Sequence, residues 1–359
     1  MSLKAVQIKD VRNIESVSFH PSPGLNVIVG PNGSGKTSLL ESLYILSRAR
    51  SFRTHNIRKV LSYDKKDLVV FAELWASGVS SKIAIQKNQQ ETTIKINGHI
   101  EQKASELSRY LHTHLIRPES QSLLENGASS RRSFIDLGVF HVKHSFLKVL
   151  KEYNQILKQR NSLLKSKQLD TLPIWSNKLV EYGTMVSDQR AEYVNLLEKE
   201  FRLVAAEFFE DIEFNIKYLS GWDKNFTLTE VLARNLSRDI QYGYTTTGAH
   251  KSDIKVFVND KLAQDFLSRG QMKLLVIALY LAQIKLMSKQ SYKSVCVLLD
   301  DLAAELDEVS FKKVMFFLKG IGIQVFVTTT NKSIFTEFIK EKETKLFHVK
   351  HGVMHIEDS

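Results

Sequence analysis

Gly30-Pro31-Asn32-Gly33-Ser34-Gly35-Lys36-Thr37 satisfies the pattern Gly-x-x-x-x-Gly-Lys-Ser/Thr at every position. The residue types suit one chemistry. Small side chains let backbone N–H groups close on phosphate oxygens, and a helix starting behind them adds a favourable dipole. Lys36 has the length to reach the β- and γ-phosphates, and the Thr37 hydroxyl can ligate Mg2+. The context is the required one: apolar Leu25–Gly30 reads as a strand before the loop, and Thr37 to Ser47 as a helix after it. The loop therefore predicts ATP and Mg2+ as cofactors. A second apolar strand, Val295–Leu299, runs into Asp300-Asp301. Asp300 is expected to ligate Mg2+ together with Thr37, and Asp301 to orient or deprotonate the attacking water. Lys36 and Asp300 stand 264 positions apart, so a large insertion must separate them.

The elements that position these groups change character along the chain. Leu3–Ile8, Val17–His20, Leu68–Trp75, Lys82–Gln86 and Thr92–Ile96 are short and rich in β-branched or apolar residues, and Asn97-Gly98 is a hairpin signal. Residues 131–166 read as helical, Leu169–Pro173 as a break, and 174–209 as a long helix. Along that helix Trp175, Leu179, Tyr182, Val186, Tyr193, Leu196 and Leu203 recur at steps of three and four, with Gln189 and Glu200 as polar interruptions. The stripe predicts helix–helix packing, hence an arm of two antiparallel helices. Strand–helix alternation then returns. Ile254–Val258, Val295–Leu299 and Ile323–Thr328 read as strands, Gln271–Met287 and Glu308–Lys319 as helices, and Lys345–Lys350 with Val353–Glu357 as a closing hairpin. The expected domains are residues 1–120, an inserted helical arm at 121–235, and 236–359.

Leu267-Ser268-Arg269-Gly270-Gln271 precedes the helix that leads to the Asp300 strand, and it resembles the signature loop of ATP-binding-cassette ATPases. Ala304-Glu305-Leu306-Asp307 resembles their D-loop. A split cassette with a helical insertion resembles SMC-type ATPases. Within that class the whole chain resembles the RecF family of bacterial recombination mediators. The resemblance rests on the phosphate loop, Arg48–Thr54 (RARSFRT), Pro118-Glu119, Arg131–Asp136 (RRSFID), Lys158–Lys165 (KQRNSLLK), Trp175, Gly183, Arg190 and Gly248–Asp253 (GAHKSD). The family pattern is departed from at Gly248-Ala249-His250-Lys251, at Ser120-Gln121 and at Met272. Thr328-Thr329-Thr330 stands where many cassette ATPases carry a switch histidine.

The resemblance implies an α/β fold: an ABC/SMC-type P-loop ATPase head, with mixed sheet and flanking helices, and an inserted α-helical arm. It implies a homodimer formed on ATP. One copy would supply Lys36, Thr37, Asp300 and Asp301, and the other Ser268, Gly270 and Gln271 to the γ-phosphate. Turnover is expected to be weak, because Asp301 is one methylene shorter than the glutamate of stronger cassette ATPases. The resemblance also implies binding to gapped DNA or single-strand/double-strand junctions, and action with RecO and RecR to load RecA. Another SMC-like DNA-associated ATPase, a transporter ATPase subunit and an ATP-gated scaffold are the alternatives.

Composition agrees with a polyanionic partner. The 359 residues carry 50 Lys+Arg and 39 Asp+Glu, a formal net charge of +11. Residues 1–120 hold +7 of it, 121–240 only +1, and 241–359 the other +3. The densest stretch holds Arg48, Arg50, Arg53, Arg58 and Lys59, with no acid between Glu41 and Asp64. These five are the expected DNA-phosphate contacts, sequence-independent and salt-sensitive. A single cysteine, Cys296, excludes a disulfide framework, and the opening MSLKAVQIKD has no secretory pattern, so a cytoplasmic location is expected.

Overall fold

A computed structural model describes residues 2–76, 78–143, 145–290 and 294–357. The described elements begin with β1 (Ser2–Val11), β2 (Ile14–Phe19), β3 (Leu25–Val29), α1 (Lys36–Arg48), β4 (Asp67–Ala76), β5 (Val79–Asn88), β6 (Thr92–Ile96), β7 (His99–Glu101) and β8 (Leu111–Ile116). Next come α2 (Ala128–Val142), α3 (Phe146–Ser166), α4 (Leu172–Ala206), β9 (Phe214–Leu219), α5 (Leu228–Arg234), α6 (Leu236–Tyr242), β10 (Asp253–Val258), β11 (Lys261–Leu262), α7 (Ala263–Phe266) and α8 (Arg269–Gln290). The chain closes with β12 (Ser294–Leu299), α9 (Glu308–Ile321), β13 (Gln324–Thr329), α10 (Thr336–Ile339), β14 (Thr344–Lys350) and β15 (Val353–Glu357). Two compact units result: residues 1–120 with 288–359, and residues 121–287.

The first unit holds two sheets. One is antiparallel, in the order β2-β1-β4-β5-β6-β7; the other runs β15-β14-β3-β13-β12-β8. In the second sheet β14, β3, β13, β12 and β8 are parallel, and β15 closes the edge antiparallel to β14. Every residue of β13 is buried, as expected for a strand covered on both faces. Helix α1 contributes Leu39, Leu40, Leu43 and Leu46 to a core that also takes Val6, Val70 and Ile85 from one sheet and Ile28, Leu298 and Phe326 from the other. These six-stranded layers therefore grip the helix behind the phosphate loop on several sides. Burying each such leucine contributes roughly 1.5–3 kcal/mol.

Strand β8 was not anticipated. Its sequence, Leu-His-Thr-His-Leu-Ile, has three consecutive polar residues at its centre, yet His112, Thr113 and His114 are all buried. β9, Phe-Asn-Ile-Lys-Tyr-Leu, was also unread, although it pairs with β10 over its whole length.

In the second unit α3 and α4 pack antiparallel. Arg160 near the end of α3 donates to Ser176 near the start of α4, while Tyr153 lies beside Gly183. Pro173 sits in the first turn of α4 rather than before it, where its missing N–H costs nothing. The expected stripe holds through Leu179, Val186 and Tyr193, which are buried. Towards the C-terminal end burial passes to Leu197, Phe201 and Val204, and Leu203 is 60% exposed. A stripe spaced at 3.5 residues drifts about 20° per heptad on a 3.6-residue helix, so four heptads move the buried seam by nearly one position.

The boundary expected after residue 235 is not where the chain divides. Residues 236–287 cluster with the helical unit. β10 pairs with β9, and Arg131 of α2 makes a bidentate ion pair with Asp253 at 2.7 and 2.8 Å. Gln283 of α8 donates to the Phe134 carbonyl and to the Tyr193 hydroxyl, each at 3.0 Å. Residues 269–289 are long and apolar enough to cross a membrane by length and composition, but 67% of that window is buried inside the fold. The helix is a core element of its unit.

Candidate nucleotide-binding site

The phosphate loop joins β3 to α1 at the carboxyl edge of the parallel strands, where such sheets bind ligands. Register places Val29 beside Thr329 and Leu299 beside Val327, so Gly30, Asp300 and Thr328 reach the same edge. The loop is braced from behind. Gly352 N–H donates to Ser34 O at 2.8 Å, and Asn13 Nδ2 donates to Gly33 O at 3.3 Å while its Oδ1 accepts from Ser38 Oγ at 2.8 Å. A Cβ on Gly30 would lie 2.3 Å from Val349 O, and Gly35 has φ 115°, so neither position admits a larger residue without strain.

A cavity of about 550 Å³ opens above this loop. It is lined by Asn32, Gly33, Ser34, Gly35, Lys36, Thr37 and Ser38 from the loop and α1, by Asp300, Asp301 and Thr328 from the ends of β12 and β13, and by Arg12, Asn13, Arg53 and Leu61. Lys36 Nζ donates to Gly30 O at 2.7 Å and Pro31 O at 3.0 Å. Burial lowers the Lys36 pKa, opposed by the charges of Asp301 and Asp300. Thr37 Oγ1 and Thr328 Oγ1 both donate to Asp300 Oδ1, at 3.0 and 2.9 Å. Burial raises the Asp300 carboxyl pKa, and these two hydrogen bonds work against it. Asp301 adopts the left-handed conformation, φ 51°, and its N–H donates to Thr328 Oγ1 at 2.9 Å.

The donor set fits a nucleotide with Mg2+. A desolvated carboxylate and a hydroxyl converge on one point, and a cation bound there would neutralise the charge that burial disfavours. Thr37 and Asp300 would hold it. Glycine-rich backbone, a helix N-terminus and Lys36 would hold the phosphates.

The signature residues belong to the other unit and are not among those lining this cavity. Ser268 and Gln271 cap α8 reciprocally: Ser268 N–H donates to Gln271 Oε1 at 3.0 Å, and Gln271 N–H to Ser268 Oγ at 3.3 Å. Ser268 and Gly270 are exposed, and a Cβ on Gly270 would meet nothing within 4 Å.

The five basic residues are not equivalent. Arg50, Arg58 and Lys59 are exposed, with Arg58 Nε donating to Gln89 Oε1 at 2.8 Å. Arg48 is half-buried at the end of α1, and desolvation lowers its pKa. Arg53 is exposed and lines the nucleotide cavity. Sequence reasoning missed Arg12 and Asn13, which sit at the β1–β2 hairpin tip. Arg12 binds Glu41 of α1 through both oxygens at 2.8 and 2.9 Å, and Ser51 donates to the same carboxylate. Nothing local marks them; the buried Glu41 inside an apolar helix was the available sign.

The RecF/RecN/SMC N-terminal domain family matches residues 2–355. A DNA replication and repair protein RecF of Shewanella woodyi is 39% identical over 360 residues, covering 100% of this chain and 99% of the relative. The corresponding protein of Shewanella piezotolerans is 38% identical over 98% of both chains. The chain belongs to the RecF family. Its fold agrees with a solved structure of the recombination mediator RecF with ATP, from the RecFOR pathway, at TM-score 0.87 and 26% identity, over 99% of this chain and 97% of that one. An SMC head bound to the C-terminal winged-helix domain of ScpA shares the fold alone, at TM-score 0.57 and 14% identity over 99% of this chain and 98% of the other. The architecture is thus the ABC/SMC-type ATPase head, with sheets flanked by helices and a helical arm inserted.

Proposed function

We propose that this chain is an ATP-dependent DNA-binding protein of recombinational repair and replication, switched by a weak, dimer-dependent ATPase. The observation that carries the reading is the convergence of Thr37, Thr328 and Asp300 in the wall of a phosphate-loop cavity. On nucleotide binding, Lys36 exchanges the loop carbonyls for phosphate oxygens. The N–H groups of Gly33 to Thr37 surround the β-phosphate side, and Arg53 faces the cavity as a further cation. Thr37 and Asp300 would hold Mg2+, which would supply neutralisation of phosphate charge. Asp301 would orient water, and its backbone bond to Thr328 supports that role.

A second copy completes the site in this reading. Its Ser268 hydroxyl, Gly270 backbone, Gln271 and α8 dipole present an exposed, uncrowded cap suited to a γ-phosphate. Catalysis is slow because the short side chain of Asp301 reaches water less well than a glutamate. Arg50, Arg58 and Lys59, with the half-buried Arg48, hold duplex phosphates beside the nucleotide lobe. The relatives' name supports DNA of replication and repair as the target, and the RecFOR pathway of the solved relative supports RecO and RecR as partners; gapped or junction DNA as substrate and RecA loading as outcome complete the proposal. A cytoplasmic location follows from that role. Gel shifts with gapped DNA, with and without ATP at two salt concentrations, test the reading. ATP-dependent binding that falls steeply with salt is expected; binding indifferent to ATP would refute it.

A further inference from the structure

Two family motifs, KQRNSLLK and GAHKSD, take no part in the nucleotide cavity, yet they meet at one buried node of the helical unit. Arg160 Nη1 donates to Asp239 Oδ2 at 2.9 Å and to Thr245 Oγ1 at 2.6 Å, with side chains 1% and 0% exposed for the ion pair. Asn161 Oδ1 accepts from Thr245 N–H at 2.8 Å and from its hydroxyl at 2.7 Å. Asp239 Oδ1 accepts from Thr246 N–H at 2.9 Å and from its hydroxyl at 2.7 Å. His250 joins Thr245 O through Nε2 at 3.0 Å and the Tyr153 hydroxyl through Nδ1 at 2.8 Å. A buried ion pair costs desolvation energy and contributes little net stability. What this one does is specify the chain's path from the end of α6 to residue 250.

That path presents two tyrosines. Helix α6 stops at Gly243, φ 71°, whose N–H donates to Asp239 O at 2.9 Å. The left-handed glycine turns Tyr242 and Tyr244 to the same side, where their rings stack at 5.8 Å between centroids and 16° between planes. Both are open to solvent, 52% and 45% exposed. The Arg238 guanidinium lies 5.6 Å from the Tyr242 ring centre, and Lys251 Nζ 5.8 Å from that of Tyr244. Lys165 flanks Gly243, with its Cα 3.5 Å from the position of a Cβ there. Among the described residues none of these three cations makes an ion pair, while the neighbouring Asp239 is consumed by Arg160.

We propose that Tyr242 and Tyr244 form a stacking platform for single-stranded nucleic acid, with Arg238, Lys251 and Lys165 holding its phosphates. Exposed aromatic faces beside unpaired cations match unstacked bases on a polyanionic backbone. A duplex offers no free base faces. The inference rests on the reading of this chain as a DNA-binding protein, and it adds a single-strand contact in the helical unit to the duplex contacts of the other unit.

The test is fluorescence anisotropy of the full chain with a labelled 20-nucleotide oligothymidylate and a labelled duplex of equal length. Replacing both tyrosines by alanine (Tyr242→Ala with Tyr244→Ala) is expected to weaken oligothymidylate binding at least tenfold and to leave the duplex within twofold. The paired phenylalanine variant, which keeps the stacking faces, stays within twofold on both. Arg238→Ala with Lys251→Ala weakens oligothymidylate binding and flattens its salt dependence. Circular dichroism melts confirm that these surface changes leave the fold intact. The platform is overturned if the alanine pair leaves oligothymidylate binding within twofold, weakens both ligands alike, or is matched by the phenylalanine pair. If the parent chain binds gapped duplex with ATP and only the tyrosine effect is missing, the DNA-binding reading stands; if the parent binds neither ligand, both fall.

Discussion

Thr328→Val removes one hydroxyl and keeps the side chain's shape, and that hydroxyl joins three parts of the nucleotide site. It donates to Asp300 Oδ1 at 2.9 Å and accepts from Asp301 N–H at 2.9 Å. The side chain is completely buried on β13. A hydrogen bond to a charged group contributes about 1.5–3 kcal/mol, and a buried N–H left without a partner costs about 1–3 kcal/mol. Asp301 also sits at φ 51°, a conformation that costs about 1–2 kcal/mol and is held here by the lost bond, so relaxation returns part of the penalty. A net loss of about 3 kcal/mol follows. For a domain of this unit's size that lowers the melting temperature by roughly 6–12 °C. Differential scanning calorimetry of the nucleotide-free chain measures it, and a coupled phosphate-release assay reads turnover. Thr328→Val should slow hydrolysis more than it weakens ATP binding, and Thr328→Ser should restore both stability and rate. A valine variant melting within 1 °C of the parent, with unchanged turnover, would refute the assigned role.

Asp300→Asn is expected to abolish turnover yet stabilise the nucleotide-free chain at pH 7. Burial raises this carboxyl's pKa, so its neutral form suits the fold, and stability is lost as pH climbs from the ordinary carboxylate value through the raised one. Asparagine keeps the acceptor for Thr37 and Thr328 without the charge; a lower melting temperature for the variant at pH 7 would contradict this. His250 titrates the other way. Burial beside Lys251 and Arg132 holds its pKa at about 4, against Asp239 and the Thr245 carbonyl. Stability is therefore present above about 6.5 and declines as pH falls towards 4, by roughly 3 kcal/mol at most. His250→Gln should flatten that decline in melts run from pH 7 to pH 4, and an equally steep decline would exclude the histidine as its source. Ser268→Ala removes the hydroxyl that accepts from Gln271 N–H at the exposed start of α8. It should leave ATP affinity of the monomer within twofold, measured by fluorescent-nucleotide titration, while cutting turnover at least tenfold; a loss of both together would argue against a role in trans.

Much of the head could be read directly because its chemistry is local. The phosphate loop names its own strand and helix, and an apolar strand ending in Asp300-Asp301 names its partner. Long-range arrangements were harder. β8 hides behind His112 and His114, whose polar identity masks a largely buried strand that pairs with β12. Arg12 and Asn13 reach the cavity only because the β1–β2 hairpin folds over the start of α1, a tertiary event with no local pattern. The unit boundary was misplaced for a related reason. Strand–helix alternation returns after the long helix, but Gln283, Tyr193 and Asp253 tie the following segment to α2 and α4. The basic run illustrates the limit of charge counting: five neighbouring cations include one that lines the nucleotide cavity and one half-buried at a helix end.

ATP-driven pairing of two copies is the central claim, and sedimentation velocity measures it most directly. The full chain is spun with Mg2+ alone, with ADP, and with a slowly hydrolysed ATP analogue, at several protein concentrations. A single slow species is expected in the first two conditions. The analogue should shift the boundary to twice the mass, more completely as concentration rises, and Ser268→Ala should weaken that shift. A chain that binds the analogue yet sediments unchanged at every concentration would contradict the claim.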